Sequence, residues 1–250
     1  MAHALAARGW KVVIVEGGSR TPAPELEDTY RVTVAGTPHR GVHEGRFRAW
    51  GGSTTRWGGQ LWAWEPHELA ARPEIGIDGW PIGYDEVAPW YRRAFALLGI
   101  PDAPLSTAGA HARGVAPAGL DPSLVSIKYS AWLPWRLRNL GGTLGKSLRV
   151  APDVTSHEST TAIGFELRSS EGRVAGVRVR RADGSSMVLS ADVVVMAAGT
   201  LENVRLLLAS NAGGQPIGDH AGWLGRCFMD HLSVRVARFR PRDADDFGRR

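Results

Sequence analysis

Residues 4–18 read ALAARGWKVVIVEGG: a small-residue stretch, a glycine, a β-branched run, an acid and a glycine pair in immediate succession. Ala2 to Arg8 predicts a helix closed by Gly9. Val12-Val13-Ile14-Val15 predicts a short buried strand that ends on Glu16 and runs into Gly17-Gly18. Helix, tight turn, buried strand and terminal acid is the order found in the second half of a dinucleotide-binding βαβ unit. In that unit a Gly-rich turn opens the helix, and the pyrophosphate sits on the free N–H groups of the helix N-terminus. An acid about 20 positions further on accepts hydrogen bonds from the adenosine ribose. Counting back that far from Glu16 passes Met1, so the Gly-rich turn is expected upstream. The alternative that stays open is an ordinary helix–strand pair with a solvated Glu16.

Composition narrows the classes. A chain of 250 residues holds one large or two small domains, and 43% hydrophobic with 22% charged residues is ordinary for a globular fold. The net charge of +5 comes from scattered arginines, with Lys only at positions 11, 128 and 146. No basic run or nucleic-acid module accompanies it, so a solvated surface is expected rather than a polyanion site. The single cysteine, Cys227, excludes an intrachain disulfide and a cysteine metal cluster. No apolar stretch approaches a membrane span, and the first residues lack a signal-peptide apolar region. The cytoplasm is the default expectation for location, with a leader upstream of Met1 left open. Of ten tryptophans, Trp50, Trp57, Trp62 and Trp64 crowd one segment and Trp132 and Trp135 form a pair. Core packing is the default reading for such clusters; lining a flat-ligand site is the other.

Along the chain, residues 21–45 read as a loop, and 46–64, RFRAWGGSTTRWGGQLWAW, are the densest glycine stretch. Tyr84-Asp85-Glu86 starts a helix with Val87, Trp90, Tyr91, Ala94, Phe95 and Leu98 at helical spacing. Residues 101–122 read as an exposed loop, Ser126–Tyr129 as a strand, and 134–148 as a helix. Val154 to Leu167, Val174 to Arg180 and Met187 to Leu189 read as three strands. Hairpin turns are expected at Ser170-Glu171-Gly172 and Ala182-Asp183-Gly184. Val193 to Met196 reads as a parallel strand buried on both faces, passing through Ala197-Ala198-Gly199 into a helix with Val204, Leu206, Leu207 and Leu208. Ligands bind at such strand exits in doubly wound sheets.

GGSTTRWGG, residues 51–59, is neither a phosphate loop, nor a nucleophile elbow, nor GxGxxG. It offers glycines, hydroxyls at Ser53, Thr54 and Thr55, and backbone N–H groups that can lie along a planar polar ring. A purely structural turn is the competing reading. Asp230-His231 suggests acid–base chemistry but is read first as a structural pair. His39 and His43 lack the further ligands of a metal site.

Together these segments resemble the glucose–methanol–choline (GMC) family of FAD-dependent oxidoreductases over nearly the whole chain. ALAARGWKVVIVEGG is similar to that family's helix, second strand and ribose-binding acid, with Glu16 in the acid's place. Trp50-Gly51-Gly52-Ser53-Thr54 resembles the loop along the flavin. GWPIGYDEVAPWYRRA, 79–94, resembles a helix of bacterial members. VVVMAAGTLENVRLLLAS, 193–210, resembles the late flavin-domain strand, and GRCFMDH, 225–231, the stretch that follows.

The resemblance implies an α/β fold: an incomplete Rossmann-like FAD-binding domain with a β-meander insertion and part of a substrate or cap domain. The expected boundaries are 1–64 and 146–215 for the FAD-binding parts, 65–145 for a cap portion, and 216–250 for the start of a substrate domain. It implies FAD as cofactor, held by Glu16, Gly51, Gly52, Ser53, Thr54, Trp57, Gly58, Thr160, Ala198, Gly199 and Asp230. Thr55-Arg56-Trp57 stands where some relatives bond FAD through a histidine, so noncovalent FAD is expected. Trp57 is more similar to sugar or polyol dehydrogenases. The implied reaction is oxidation of a CH–OH group with hydride passing to flavin N5, and the partners are an alcohol or sugar substrate and an electron acceptor. The family's catalytic base is a histidine expected beyond Arg250; His231 belongs to a different motif and is not given that role. The chain alone is therefore expected to be inactive. Two alternatives remain: a non-catalytic remnant that holds no FAD, and a nicotinamide-type Rossmann dehydrogenase.

Overall fold

A computed structural model describes residues 1–20, 30–101, 124, 128, 130–168, 173–212, 215–230, 234, 235, 238 and 240. Strand β1, Val12–Val15, follows a short helix, Ala2–Ala6. Gly9 takes φ +78°, a left-handed turn that lets Trp10 N–H reach back to the Leu5 carbonyl. The order of helix, turn and strand is as the residue pattern predicts, but the helix ends at Ala6 and the strand is not buried: Val13 is 50% exposed.

Two-residue strands β2, Gln60–Leu61, and β3, Ala131–Trp132, pair antiparallel. The helix Tyr84–Leu97 begins where expected, with the Glu86 carboxylate accepting the Gly83 N–H at 2.9 Å. It buries Ala88 and Phe95, while Trp90 faces outward beneath the Arg93 guanidinium. The helix expected over 134–148 is two, Trp135–Arg138 and Leu144–Leu148. The glycine pair at 141–142 interrupts it, where both N–H groups turn to Asn139 Oδ1.

The run from Val154 is also divided. Strand β4, Val154–His157, pairs in parallel with β1, Val12 facing Val154 through Val15 facing His157. Ser159 then takes φ +49°, and β5, Thr160–Arg168, departs in a new direction. Strands β5, β6 (Arg173–Arg181) and β7 (Ser186–Ser190) form a three-stranded sheet in that order. Gly184, at φ +85°, and the Asp183 carboxylate, which accepts from Ser185, close the β6–β7 turn as expected. The turn expected at 170–172, the strand at 126–129 apart from residue 128, and almost all of the loop at 101–122 lie outside the described residues.

One element departs outright. Val193–Met196 forms no strand among the described residues, and Val193 is 63% and Val195 49% exposed. A parallel strand exists only with a neighbour on its ladder, and an apolar run without one stays extended and uncovered. The helix after it, Thr200–Ala209, forms as predicted and buries Leu206. Strands β8, Asn211–Ala212, and β9, Gln215–Pro216, follow as an antiparallel pair.

The chain divides into two compact units, residues 1–162 with 180–186, and residues 163–179 with 187–250. The first has a core of Val42, Ala49, Trp50, Ala63, Leu69, Ala88, Phe95 and Leu133; the second is centred on Phe165, Val179 and Leu206. The tryptophan clusters are not core. Trp50 is buried, but Trp62, Trp132 and Trp135 are exposed, Trp135 by 82%. Arg138 lies over both Trp132 and Trp135, so cation–π contacts occupy those faces instead.

Candidate functional site

Glu16 ends strand β1 and is fixed on both sides of its backbone. Its N–H donates to the His157 carbonyl at 2.9 Å, and its carbonyl accepts the Thr160 N–H at 3.0 Å. The side chain folds over the following glycines, so that Oε1 accepts the Gly18 N–H at 2.7 Å. Burial pushes the Glu16 pKa above its ordinary value. The Gly18 hydrogen bond and the positive charge of Arg48 pull it back, and Glu158 adds to the rise.

Arg48 explains the glycine pair. It is buried, and its Nη2 donates to the Gly17 carbonyl at 2.7 Å and to Thr161 Oγ1 at 2.5 Å. Its guanidinium lies 5.4 Å from the Tyr30 ring centroid. A Cβ on Gly17 would sit 2.6 Å from that Nη2; one on Gly18 would sit 2.2 Å from the Ala49 nitrogen. Ser19 then bridges Ala49, and the Trp50 N–H donates to the Ser19 carbonyl at 3.0 Å. The chain leaving Glu16 thus lies directly along the segment that enters the second glycine turn.

In that turn Gly51 and Gly52 take φ +107° and +54°, a reversal that side chains resist, before a 310 turn over Gly52–Thr55. Thr54 Oγ1 donates to the Gly51 carbonyl and accepts the Leu140 N–H; Thr55 Oγ1 donates to the Gly52 carbonyl. Those two hydroxyls are spent within the protein. Ser53 is exposed, with Oγ 3.3 Å from the Gly45 carbonyl. Trp57 Nε1 donates to the Arg138 carbonyl at 2.7 Å, and Gly58 lies against the Trp132 ring. The turn rests on residues 139–145: a Cβ on Gly141 would lie 2.2 Å from the Trp50 carbonyl oxygen, and one on Gly145 2.5 Å from Trp50 Nε1.

Thr160 is nearly fully buried, and both its donors are committed, the N–H to Glu16 and the hydroxyl to the Glu158 carbonyl at 2.9 Å. A cavity of about 440 Å3 opens beside it, lined by Ser156 to Thr160 and by Arg181 to Asp183. Ser156 Oγ is buried without a hydrogen-bond partner.

The remaining expected residues lie in the second unit. Ala198 and Gly199 are exposed at the start of the helix Thr200–Ala209. The Ala198 N–H donates to Asn203 Oδ1 at 3.1 Å, and Gly199 takes φ +86°. Asp230 is exposed, and His231 lies outside the described residues. Within the first unit, Glu16 and Thr160 are bonded directly, and Gly51 and Gly52 reach them through Arg48, Ala49 and Trp50. Arg48, Asn139 and Gly141 escaped the sequence reading. The Gly17-Gly18 pair marks a close backbone approach but does not name the residue that makes it.

An acid at the end of a parallel strand thus lies beside a glycine turn with two positive-φ residues. A family model described as GMC oxidoreductase matches residues 72–233, and the chain belongs to that family. It is 26% identical over 268 aligned positions to a 2-methyl-1,2-propanediol dehydrogenase from Mycolicibacterium austroafricanum, covering 90% of this chain and 47% of that protein. Among solved structures it is similar to pyridoxine 4-oxidase from Mesorbium loti, at 17% identity and a TM-score of 0.45, covering 80% of this chain and 47% of that one. The chain spans about half the length of these relatives.

Proposed function

We propose that the chain is part of an FAD-dependent oxidoreductase acting on CH–OH groups, and that its first unit holds the adenosine side of the cofactor. The observation that carries this reading is Glu16: a largely buried carboxylate at the exit of a parallel strand, held by one backbone N–H and with further lone pairs to offer. Two vicinal ribose hydroxyls are donors suited to such a carboxylate. The cavity lined by Ser156 to Thr160 and by Arg181 to Asp183 is the place for the adenine side, because it opens on the same strand end as Glu16. Thr160 belongs to the wall of that cavity.

Gly51 and Gly52 allow close approach of a flat ring, with Ser53 supplying the exposed hydroxyl and Trp57 and Gly58 forming the loop's far side. Ala198, Gly199 and Asp230, in the second unit, are kept as cofactor-binding candidates on the family resemblance alone. FAD, when bound noncovalently, supplies the hydride acceptor for oxidation of the alcohol carbon. The residues of this chain bind and orient; none of those placed here is assigned the role of base. The substrate class is an alcohol such as a polyol or sugar, supported by family membership and by a relative named for a diol. An electron-acceptor partner completes the scheme.

We propose further that the chain alone holds FAD weakly and turns over no alcohol. Titrations with FAD, AMP and NAD, followed by flavin fluorescence and calorimetry, test the reading. FAD and AMP are expected to bind, NAD to bind more weakly, and Glu16→Gln to weaken AMP about tenfold, the loss of one charge-assisted hydrogen bond. Equal AMP affinity of the variant and the parent overturns the assignment of Glu16. No binding of FAD or AMP at millimolar concentration favours the non-catalytic reading. A yellow preparation that reduces a dye with an alcohol overturns the proposed inactivity.

A further inference from the structure

Three successive carbonyls leave the end of β1, and each is tied down. The Glu16 carbonyl takes the Thr160 N–H at 3.0 Å, and the Gly18 carbonyl takes the Ser159 N–H at 2.9 Å. Between them, the Gly17 carbonyl takes a side chain, Arg48 Nη2, at 2.7 Å. The same nitrogen reaches Thr161 Oγ1 on β5, so the guanidinium joins the strand exit to the following strand. Arg48 is 7% exposed, and Gly17 lacks the Cβ that would collide with it. A buried guanidinium needs acceptors and a nearby negative charge to offset its desolvation.

We propose that Arg48 is the positioning residue of the Glu16 carboxylate, fixing the peptide beside it and supplying the positive charge that keeps it ready for the two hydroxyls of an adenosine ribose. This rests on the proposed role of Glu16 but makes a claim about the unliganded protein. The argument is geometric first. The carboxylate is held by the Gly18 N–H, and the Gly17 carbonyl clamped by Arg48 belongs to the same peptide unit as that N–H. Loss of the clamp frees the peptide that positions the carboxylate. The electrostatics agree in direction: burial and Glu158 oppose ionisation of Glu16, and Arg48 favours it. The other charged or titratable neighbours are His157, opposite Val15 on β4, and Arg20, which pairs with Glu158.

The test uses the full chain with Arg48→Met, Arg48→Lys and Thr161→Val. Carbon-13 NMR of labelled glutamate carboxyls, with Glu16→Gln for assignment, reads the Glu16 titration without any ligand. Arg48→Met is expected to raise the Glu16 midpoint by about one pH unit, and Arg48→Lys, which keeps the charge, by much less. Thr161→Val, which keeps charge and guanidinium, is expected to leave the midpoint nearly in place while broadening the Gly18 amide signal. In a calorimetric pH profile, AMP affinity of Arg48→Met is expected to fall about tenfold at the acidic end and to recover as pH rises; Arg48→Lys restores most of it. An unchanged Glu16 midpoint in folded Arg48→Met overturns the proposal. So does an Arg48→Lys profile that matches Arg48→Met. If Arg48→Met does not fold, as circular dichroism would show, an Arg48→Lys midpoint shifted by a full unit overturns it and a small shift upholds it. Absence of AMP binding to the parent chain overturns the ribose role of Glu16, while the ligand-free titration still decides the coupling.

Discussion

At the scale of single residues, Gly17 and Gly18 carry more constraint than their hydropathy suggests. A methyl group on Gly18 meets backbone on the other side of the contact, at 2.2 Å from the Ala49 nitrogen and the Arg48 carbonyl carbon. Backbone cannot rotate away as a side chain can, so Gly18→Ala is expected to destabilise by about 3 kcal/mol, read by urea denaturation. Gly17→Ala meets only the end of a side chain, and a smaller loss is expected together with displacement of the Arg48 guanidinium. Glu16 gives a second residue-scale expectation. Its carboxyl holds its proton more tightly in the folded chain than in the unfolded one. Stability is therefore lost as pH rises through that interval, from the ordinary value of 4.5 upward. Glu16→Gln removes the titration, so the variant is expected to gain on the parent as pH increases from 4 toward 7. Urea midpoints at several pH values check it, and a constant difference between the two proteins contradicts it.

At the scale of elements, legibility in the sequence followed locality. The helix, Gly9 turn and strand before Glu16, the start of the helix at Tyr84, the Asp183-Gly184 turn and the helix after Gly199 are written in adjacent residues, and each element forms, although the first helix is shorter and the strand less buried than read. The break at Ser159 was not readable, because no Gly or Pro interrupts Val154 to Ile163 and a serine at positive φ has no strong residue signature. Nor was the clamp of Arg48, which joins positions far apart in the chain to two acceptors that any residue or any threonine would present. Arg48 looked like one more arginine in a basic chain. The second unit contains a similar long-range tie. Ser210, just past the helix Thr200–Ala209, is 2% exposed, and its Oγ accepts the Phe165 N–H of β5 at 3.0 Å. Ser210→Ala leaves a buried N–H without its acceptor and is expected to cost about 2 kcal/mol in chemical denaturation. A loss below a few tenths of that would show that the N–H finds another partner.

At the scale of the whole molecule, apolar surface is unevenly disposed. Val193, Val195 and Met196 lie exposed in a single extended run, which sequence patterning had assigned to an interior. An apolar run left uncovered favours pairing between chains. Val193→Lys with Val195→Lys is therefore expected to raise the concentration at which light scattering first detects association, by about threefold or more. Unchanged scattering would assign any self-association to another surface, such as the exposed tryptophans. The contact between the glycine pair and Arg48 has a further consequence for anyone recombining this chain with its relatives. Residues 17–18 and 46–64 form a matched set, like a key and its ward. A chimera that imports the second stretch while leaving a bulkier residue at 18 joins two halves that cannot close, and one at 17 displaces the Arg48 guanidinium, so crossover points should be chosen to carry both segments from one parent.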